Sequence, residues 1–165
     1  MKNYIIMGID PGINIIGISV IKVIKNKIEI IKLKEIFLKY KKEYIKKIKI
    51  IYIYIDKIIK KYKPNTIVME NTYYGKNLMS LRRLIECQSI ILLSALHNKK
   101  KVFKYYPKTI KYVIAGNGNV CKKYIYNMIK KKFKIKKKYS KYLDIYDSIA
   151  VSLCHIYINL YNKLK

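Results

Sequence analysis

Tyr4-Ile5-Ile6-Met7-Gly8-Ile9 is a short apolar run rich in β-formers, and Asp10-Pro11-Gly12 stops it with a turn triplet. Apolar at successive rather than alternate positions, it reads as a strand buried on both faces. Working outward, residues 15–23 and the alternating residues 27–37 read as two further strands, giving an antiparallel meander. Apolar residues at 45, 48, 52, 55, 59 and 62 step by three and four, which predicts an amphipathic helix over 40–62, although residues 50–55 also fit a strand. Lys63-Pro64-Asn65 breaks the chain before Thr66-Ile67-Val68-Met69-Glu70, a second short buried strand. Helical spacing resumes over 78–97, and residues 102–106 supply a fifth strand. Pro107 opens a short helix to 114, a Gly116-Asn117-Gly118-Asn119 loop follows, and helices are predicted over 120–131 and 143–160. The β-helix-β succession is that of an α/β protein, and with no internal repeat or linker the expectation is one domain over residues 1–165.

Composition narrows the partners. Among 165 residues, 37 Lys plus Arg face 9 Asp plus Glu, a formal charge of +28 that suits polyanions. Part of this excess has a compositional origin. Only Arg82 and Arg83 are Arg, Ala occurs only at 95, 115 and 150, and Trp is absent, as in proteins written by AT-rich genomes. The basic stretch 130–141 accordingly has two readings, a solvated loop or a binding element. With 52% hydrophobic residues the chain is no disordered basic tail. No apolar run approaches the roughly 20 residues of a membrane span. Cys87, Cys121 and Cys154 lie far apart and form no C-x-x-C pair, so neither disulfides nor zinc are expected. The chain opens directly into its first strand, and a reducing, cytoplasmic location is expected.

Scarcity makes the nine acids informative. Asp10 stands at the exit of the first strand and Glu70 at the corresponding exit of the fourth, the end of a sheet where α/β folds place ligands. Asp144 and Asp147, three apart at the start of a predicted helix, share one face of it. If the four meet, their repulsion requires neutralisation, for which oxygen-preferring divalent cations are suited. Plainer readings stand beside this one: Asp144 and Asp147 as residues that cap a helix start and compensate its dipole, and Asp10 as a turn former before proline. His97 reads as an ordinary residue ending a helix, and His155 as a packing residue on the final helix.

Six blocks now carry a resemblance: Gly8-Ile9-Asp10-Pro11-Gly12 with Gly17; Met69-Glu70; Tyr74-Gly75-Lys76-Asn77; Tyr106-Pro107-Lys108 through Lys111; Gly116-Asn117-Gly118-Asn119; and Leu143-Asp144-x-x-Asp147-Ser148-Ile149-Ala150. In this order and spacing they resemble the RuvC family of Holliday junction resolvases, collinearly over nearly the whole chain. The resemblance implies an α/β, RNase H-like fold with a mixed five-stranded sheet flanked by helices. It implies a Mg²⁺-dependent endonuclease that resolves four-way DNA junctions as a homodimer, in recombination and repair, with RuvA and RuvB as branch-migration partners. Asp10, Glu70, Asp144 and Asp147 match the family's metal-binding carboxylates, holding two Mg²⁺ for which Mn²⁺ substitutes. Lys111 and Lys122 match basic residues near the scissile phosphate, Lys122 as part of the catalytic set. Tyr73 matches an aromatic that stacks at the junction centre, and Lys76 falls in a DNA-contacting block.

Two departures stand out. Ile85-Glu86-Cys87-Gln88-Ser89 replaces a segment usually bounded by two glycines, which predicts altered helix packing or dimer contact. Gly17-Ile18-Ser19 replaces a common Gly-aromatic-Gly. The competing readings are a basic nucleic-acid-binding protein that has lost catalysis, and another RNase H-like nuclease acting on a different substrate.

Overall fold

The computed structural model describes residues 4–25, 27–40, 43–72, 78–135, 139 and 142–161. Five strands and five helices follow in the order β1 (Tyr4–Asp10), β2 (Ile15–Ile24), β3 (Lys27–Phe37), α1 (Tyr44–Tyr62), β4 (Thr66–Glu70), α2 (Leu78–His97), β5 (Lys101–Tyr105), α3 (Pro107–Ala115), α4 (Lys122–Phe133) and α5 (Leu143–Tyr161). The sheet order is β3-β2-β1-β4-β5. The hairpin partners β1, β2 and β3 are antiparallel, whereas β4 and β5, each reached through a helix, pair parallel. The expected mixed five-stranded sheet flanked by helices is thus present.

Alternate residues of the same strands build two separate cores. Met7, Ile9, Ile16, Ile18, Val20, Ile67 and Met69 pack with Ile51, Ile55 and Ile59 of α1 and with Cys87, Ile91 and Ala95 of α2. Ile6, Ile21, Leu33 and Val68 face the other way, against α5 and the helices α3 and α4 beside it. A bulge in β3 decides which of its residues join this second core. Ile21 pairs with Ile30 but Val20 with Lys32, so Ile31 is the extra residue and the alternation switches phase there. Ile28 and Ile30 before the bulge, and Leu33 after it, pack with the α5 core. Ile36 and Leu38 pack with the other.

Several boundaries differ from expectation. Helix α1 starts at Tyr44 rather than at 40, and residues 50–55 lie within it, so the strand reading of that segment is wrong. Its buried stripe is Ile51, Ile55 and Ile59, while Ile45 is 73% exposed. A segment this rich in Ile and Tyr offers helical spacing on more than one face, and packing against α2 selects one. Lys63, left-handed at φ 44°, closes the helix by donating its N–H to the Ile59 carbonyl at 2.8 Å, and Pro64 prevents continuation. Helix α4 starts at Lys122 and runs on to Phe133, so the first residues of the basic stretch are helical.

Candidate active site

Strand register sets out the acids. Asp10 is the last residue of β1 and pairs with Gly17, which pairs with Glu35 of β3. On the other side Ile9 pairs with Met69, so Glu70 lies one step further along, beside Asp10. Glu70, Asp10, Gly17 and Glu35 therefore form a row across four strands, on the face that α5 covers.

Helix α5 is pressed unusually close to this face. A Cβ on Gly17 would lie 2.0 Å from the Asp144 carbonyl oxygen, and one on Gly8 would lie 2.0 Å from Ser152 Oγ and 2.2 Å from the Ser148 carbonyl oxygen. No side chain fits at either position without moving the helix. Beside Gly8, buried Ser19 donates its hydroxyl to the Ser148 carbonyl at 2.9 Å and lies 3.2 Å from Ser152 Oγ. The Ser19 departure thus supplies a polar tie between sheet and helix. Missing side chains in β1 and β2 bring the backbone of Asp144 against the acidic row.

Asp144 is the second residue of α5 and Asp147 the fifth, so neither precedes the helix as a capping residue does, although Asp144 in the first turn does suit the helix dipole. Asp147 is engaged elsewhere. Its Oδ2 accepts from Lys122 Nζ at 2.8 Å and from the Tyr126 hydroxyl at 2.9 Å, two donors one turn apart on α4. Asp10 is likewise the final strand residue rather than a free turn residue.

The electrostatics tie the set together. Burial first, then the charges of Asp147, Glu70 and Asp144, push the Asp10 carboxyl well above the ordinary range, and Lys122 only partly offsets them. Burial also raises Glu70, opposed by Lys122, with Asp147 adding to the rise and Lys111 opposing it. Burial pulls Lys122 down, but the hydrogen bond and charge of Asp147 outweigh it and hold the ammonium above its usual value. Glu70, Lys111, Lys122, Tyr126 and Asp147 line a cleft of about 30 Å³, room for about one water-sized group. Asp10, Glu70, Asp144, Asp147, Lys111 and Lys122 thus belong to one neighbourhood. Tyr73 and Lys76 lie outside the described residues.

Glu35 is the acid that sequence reading passed over. Burial, then the charge of Asp144 and a hydrogen bond with it, push its carboxyl up to about 7. Its Oε2 is buried with no hydrogen-bond partner. In an uninterrupted alternation from Ile28 and Ile30, Glu35 would point away from α5, and only the bulge turns it in. The signal that could have found it is the Ile30-Ile31 doublet, which interrupts the alternation where the bulge falls.

The donor set fits a hard divalent cation. All the donors are carboxylate oxygens, the charges of Asp147, Glu70 and Asp144 reach Asp10, and one buried Glu35 oxygen has no partner. The nearby thiol of Cys87, raised by burial to about 12, is protonated and no competitor. Among the described residues, no three Asp, Glu, His or Cys side chains are gathered as tightly as a bound ion would hold them.

The departure in α2 takes up helix packing. Cys87 Sγ approaches the Gly12 carbonyl at 3.6 Å, and Gln88 Nε2 donates to the Glu70 carbonyl at 2.8 Å while its Oε1 accepts from Lys104 at 3.0 Å. Both buried residues brace segments that carry acids. His155 packs as expected, and His97 ends α2 at the surface. The Tyr52 hydroxyl lies 3.0 Å from His97 Nδ1, and buried His155 lies 2.7 Å from the Tyr105 hydroxyl and against the rings of Tyr4 and Phe103. No described helix is long and apolar enough to cross a membrane.

Comparison with known proteins bears on this arrangement. The sequence profile of the family "Crossover junction endodeoxyribonuclease RuvC" matches residues 6–155. The protein of that name from Christiangramia forsetii is 37% identical over 154 residues, spanning 93% of this chain and 79% of its own. That from Wigglesworthia glossinidia brevipalpis is 36% identical over 161 residues, 98% of each chain. In structure, T. thermophilus RuvC in complex with a Holliday junction substrate superposes with a TM-score of 0.87 over 96% of each chain at 18% identity. The fowlpox virus Holliday junction resolvase superposes with a TM-score of 0.62 over 92% of this chain and 96% of that one at 16% identity. The fold is therefore the RNase H-like fold shared by these proteins.

Proposed function

Since the chain belongs to the RuvC family of crossover junction endodeoxyribonucleases, we propose that it resolves four-way DNA junctions by paired, Mg²⁺-dependent hydrolysis of phosphodiester bonds. The observation that carries this reading is the neighbourhood of Asp10, Glu70, Asp144 and Asp147 with Lys122 at 2.8 Å from Asp147. Four acids whose charges act on one another, with the Asp10 carboxyl raised well above the ordinary range by burial and by its three neighbours, are a costly arrangement, and by the sequence resemblance they stand at the family's ligand positions.

Asp10, Glu70, Asp144 and Asp147 would hold two Mg²⁺, or Mn²⁺ in their place. Bound there, such ions activate water and stabilise the leaving oxygen in phosphodiester hydrolysis. The residues themselves have distinct tasks. Lys122, now paired with Asp147, and Lys111, beside Glu70, offset charge that builds on the phosphate in the transition state. Tyr126 steadies Asp147 through its second donor. Tyr73 and Lys76 contact the junction.

One chain supplies one acidic neighbourhood, and two strands must be cut, so the working unit is a homodimer whose two-fold axis matches that of the junction. The apolar surface of α2, where Leu78, Met79, Ile85, Leu93 and Leu96 are exposed, suits the interface. Residues 1–165 act as one nuclease domain in the cytoplasm, and RuvA and RuvB deliver the junction.

Synthetic four-way junctions, linear duplex and RNA/DNA hybrid, each incubated with Mg²⁺ and with EDTA, test the proposal. Symmetric nicks in the junction alone, only with Mg²⁺, are expected. Equal binding of duplex and junction at physiological salt would overturn junction selectivity, since lysine-rich attraction to phosphate is indifferent to shape. Tight junction binding with no cleavage in either Mg²⁺ or Mn²⁺ would favour a binder that has lost catalysis.

A further inference from the structure

We propose that Phe37, backed by Tyr142, forms an aromatic contact for a nucleobase adjoining the cleaved bond, a use of this surface that rests on the nuclease reading above. Phe37 is the last residue of β3, two beyond Glu35, and therefore projects from the same sheet face as the acidic row. It pairs with Ile15, two residues before Gly17, so it lies beyond the end of the row by about two strand steps, roughly 7 Å. Tyr142 stands two residues before Asp144, and its ring meets that of Phe37 edge-on at 6.0 Å between centroids. Tyr139 braces Tyr142 in the same manner at 6.5 Å. The stack thus touches both chain segments that carry acids here, β3 through Glu35 and α5 through Asp144.

Its exposure is what makes it a contact surface. Phe37 is 52% exposed although its neighbours Ile36 and Leu38 are buried, and Leu143, immediately before Asp144, is 53% exposed. Lys39, two residues beyond Phe37, is exposed, whereas Lys34, paired with Ile18, lies on the opposite face of the sheet. An exposed ring near Lys39, on a strongly basic chain and beside acids proposed to act on a phosphodiester, fits a nucleic acid strand: the cations meet the backbone while the ring offers a face to a base. A strand whose phosphate lies at the acids has its adjoining nucleotides within one or two steps of about 3.4 Å, which is the reach of Phe37. Turning a base out of its stack carries a cost that is least where its pairing is already broken, and a junction opened at its exchange point would offer such a base.

The test uses full-length protein and immobile junctions carrying 2-aminopurine at either nucleotide flanking the cleaved bond, with Ca²⁺ replacing Mg²⁺ for binding and Mg²⁺ restored for single-turnover cleavage. Wild type is expected to change the fluorescence at one of these positions. Phe37→Ala should abolish that change and slow cleavage about tenfold, with junction affinity altered less than threefold because lysines supply it. Phe37→Tyr, which keeps the ring, should restore both signals, and a merely structural role would not separate the two variants in this way. An unchanged fluorescence response and rate in Phe37→Ala overturns the proposal, as does a change in sedimentation showing that Phe37 instead joins two copies of the chain. A wild type that gives the Phe37-dependent signal yet never cuts refutes the nuclease reading and leaves the base contact standing. A wild type that cuts without any such signal does the reverse.

Discussion

The sheet presents two faces made by alternate residues of the same strands, and they are built on opposite plans. Towards α1 and α2 the strands offer Met7, Ile9, Ile16, Ile18, Val20, Ile67 and Met69, an aliphatic layer that seals against isoleucines. Towards α5 the corresponding positions near the sheet's end are Gly8, Asp10, Gly17, Ser19, Glu35 and Glu70, which pack with missing side chains, hydroxyls and acids. The first face yields stability by burying area. The second gives some of that up to hold like charges close together, and the contrast separates what keeps the chain folded from what equips it to act.

Breaking the first face should cost the most stability. Ile55, wholly buried in α1, loses its contacts in Ile55→Ala, for an expected loss of about 2–5 kcal/mol in urea unfolding. At a temperature where the variant is folded, single-turnover cleavage should stay within about threefold of wild type.

Gly17→Ala should invert that pattern. Its new Cβ would need the space of the Asp144 carbonyl, so the start of α5 must shift, at about 1–3 kcal/mol. Cleavage should fall at least a hundredfold, because displacements near 1 Å misplace reacting groups on that scale. A Gly17→Ala protein that cuts normally would show that the close approach of α5 has no bearing on the acids.

The smallest effect sharpens the comparison through pH. Folded Glu35 keeps its proton to about pH 7, whereas an ordinary glutamate, as in the unfolded chain, loses it near 4.5. Its favourable contribution is full below about 4.5 and is lost as pH rises through 7. Glu35→Gln, uncharged throughout, should therefore gain melting temperature relative to wild type between pH 4.5 and 7, and hold a constant advantage above. Parallel melting curves for the two proteins across this range would contradict the burial of that carboxyl.

The difference between the faces also explains what could be read from residue order. Buried strands such as β1 and β4 announce themselves by unbroken apolar runs, and helix α2 was legible to its end residues because its spacing and the breaks around it agree. Asp10, Glu70, Asp144 and Asp147 were legible because acids are rare in this chain and occupy element ends. Glu35 was not, since a one-residue bulge reverses the phase of β3, and its only mark in the sequence is the adjacent pair Ile30-Ile31 in an otherwise alternating run. Nor was the true face of α1, where several isoleucine stripes compete. The tightness at Gly8 and Gly17 emerges only when α5, more than a hundred residues later, is laid across them.

The central claim, that the acids on the α5 face perform hydrolysis rather than shape the fold, is tested most directly at Asp10. Single-turnover cleavage of a four-way junction at saturating protein should be compared between wild type and Asp10→Asn, with binding to the same junction measured in Ca²⁺. The amide keeps the shape while removing one charge from a group that three neighbouring acids already disfavour as an anion. Cleavage should fall by at least three orders of magnitude, while junction affinity holds or rises because repulsion of the incoming phosphates is reduced. An Asp10→Asn protein that cuts at the wild-type rate, or a wild type that cuts in EDTA, would contradict it.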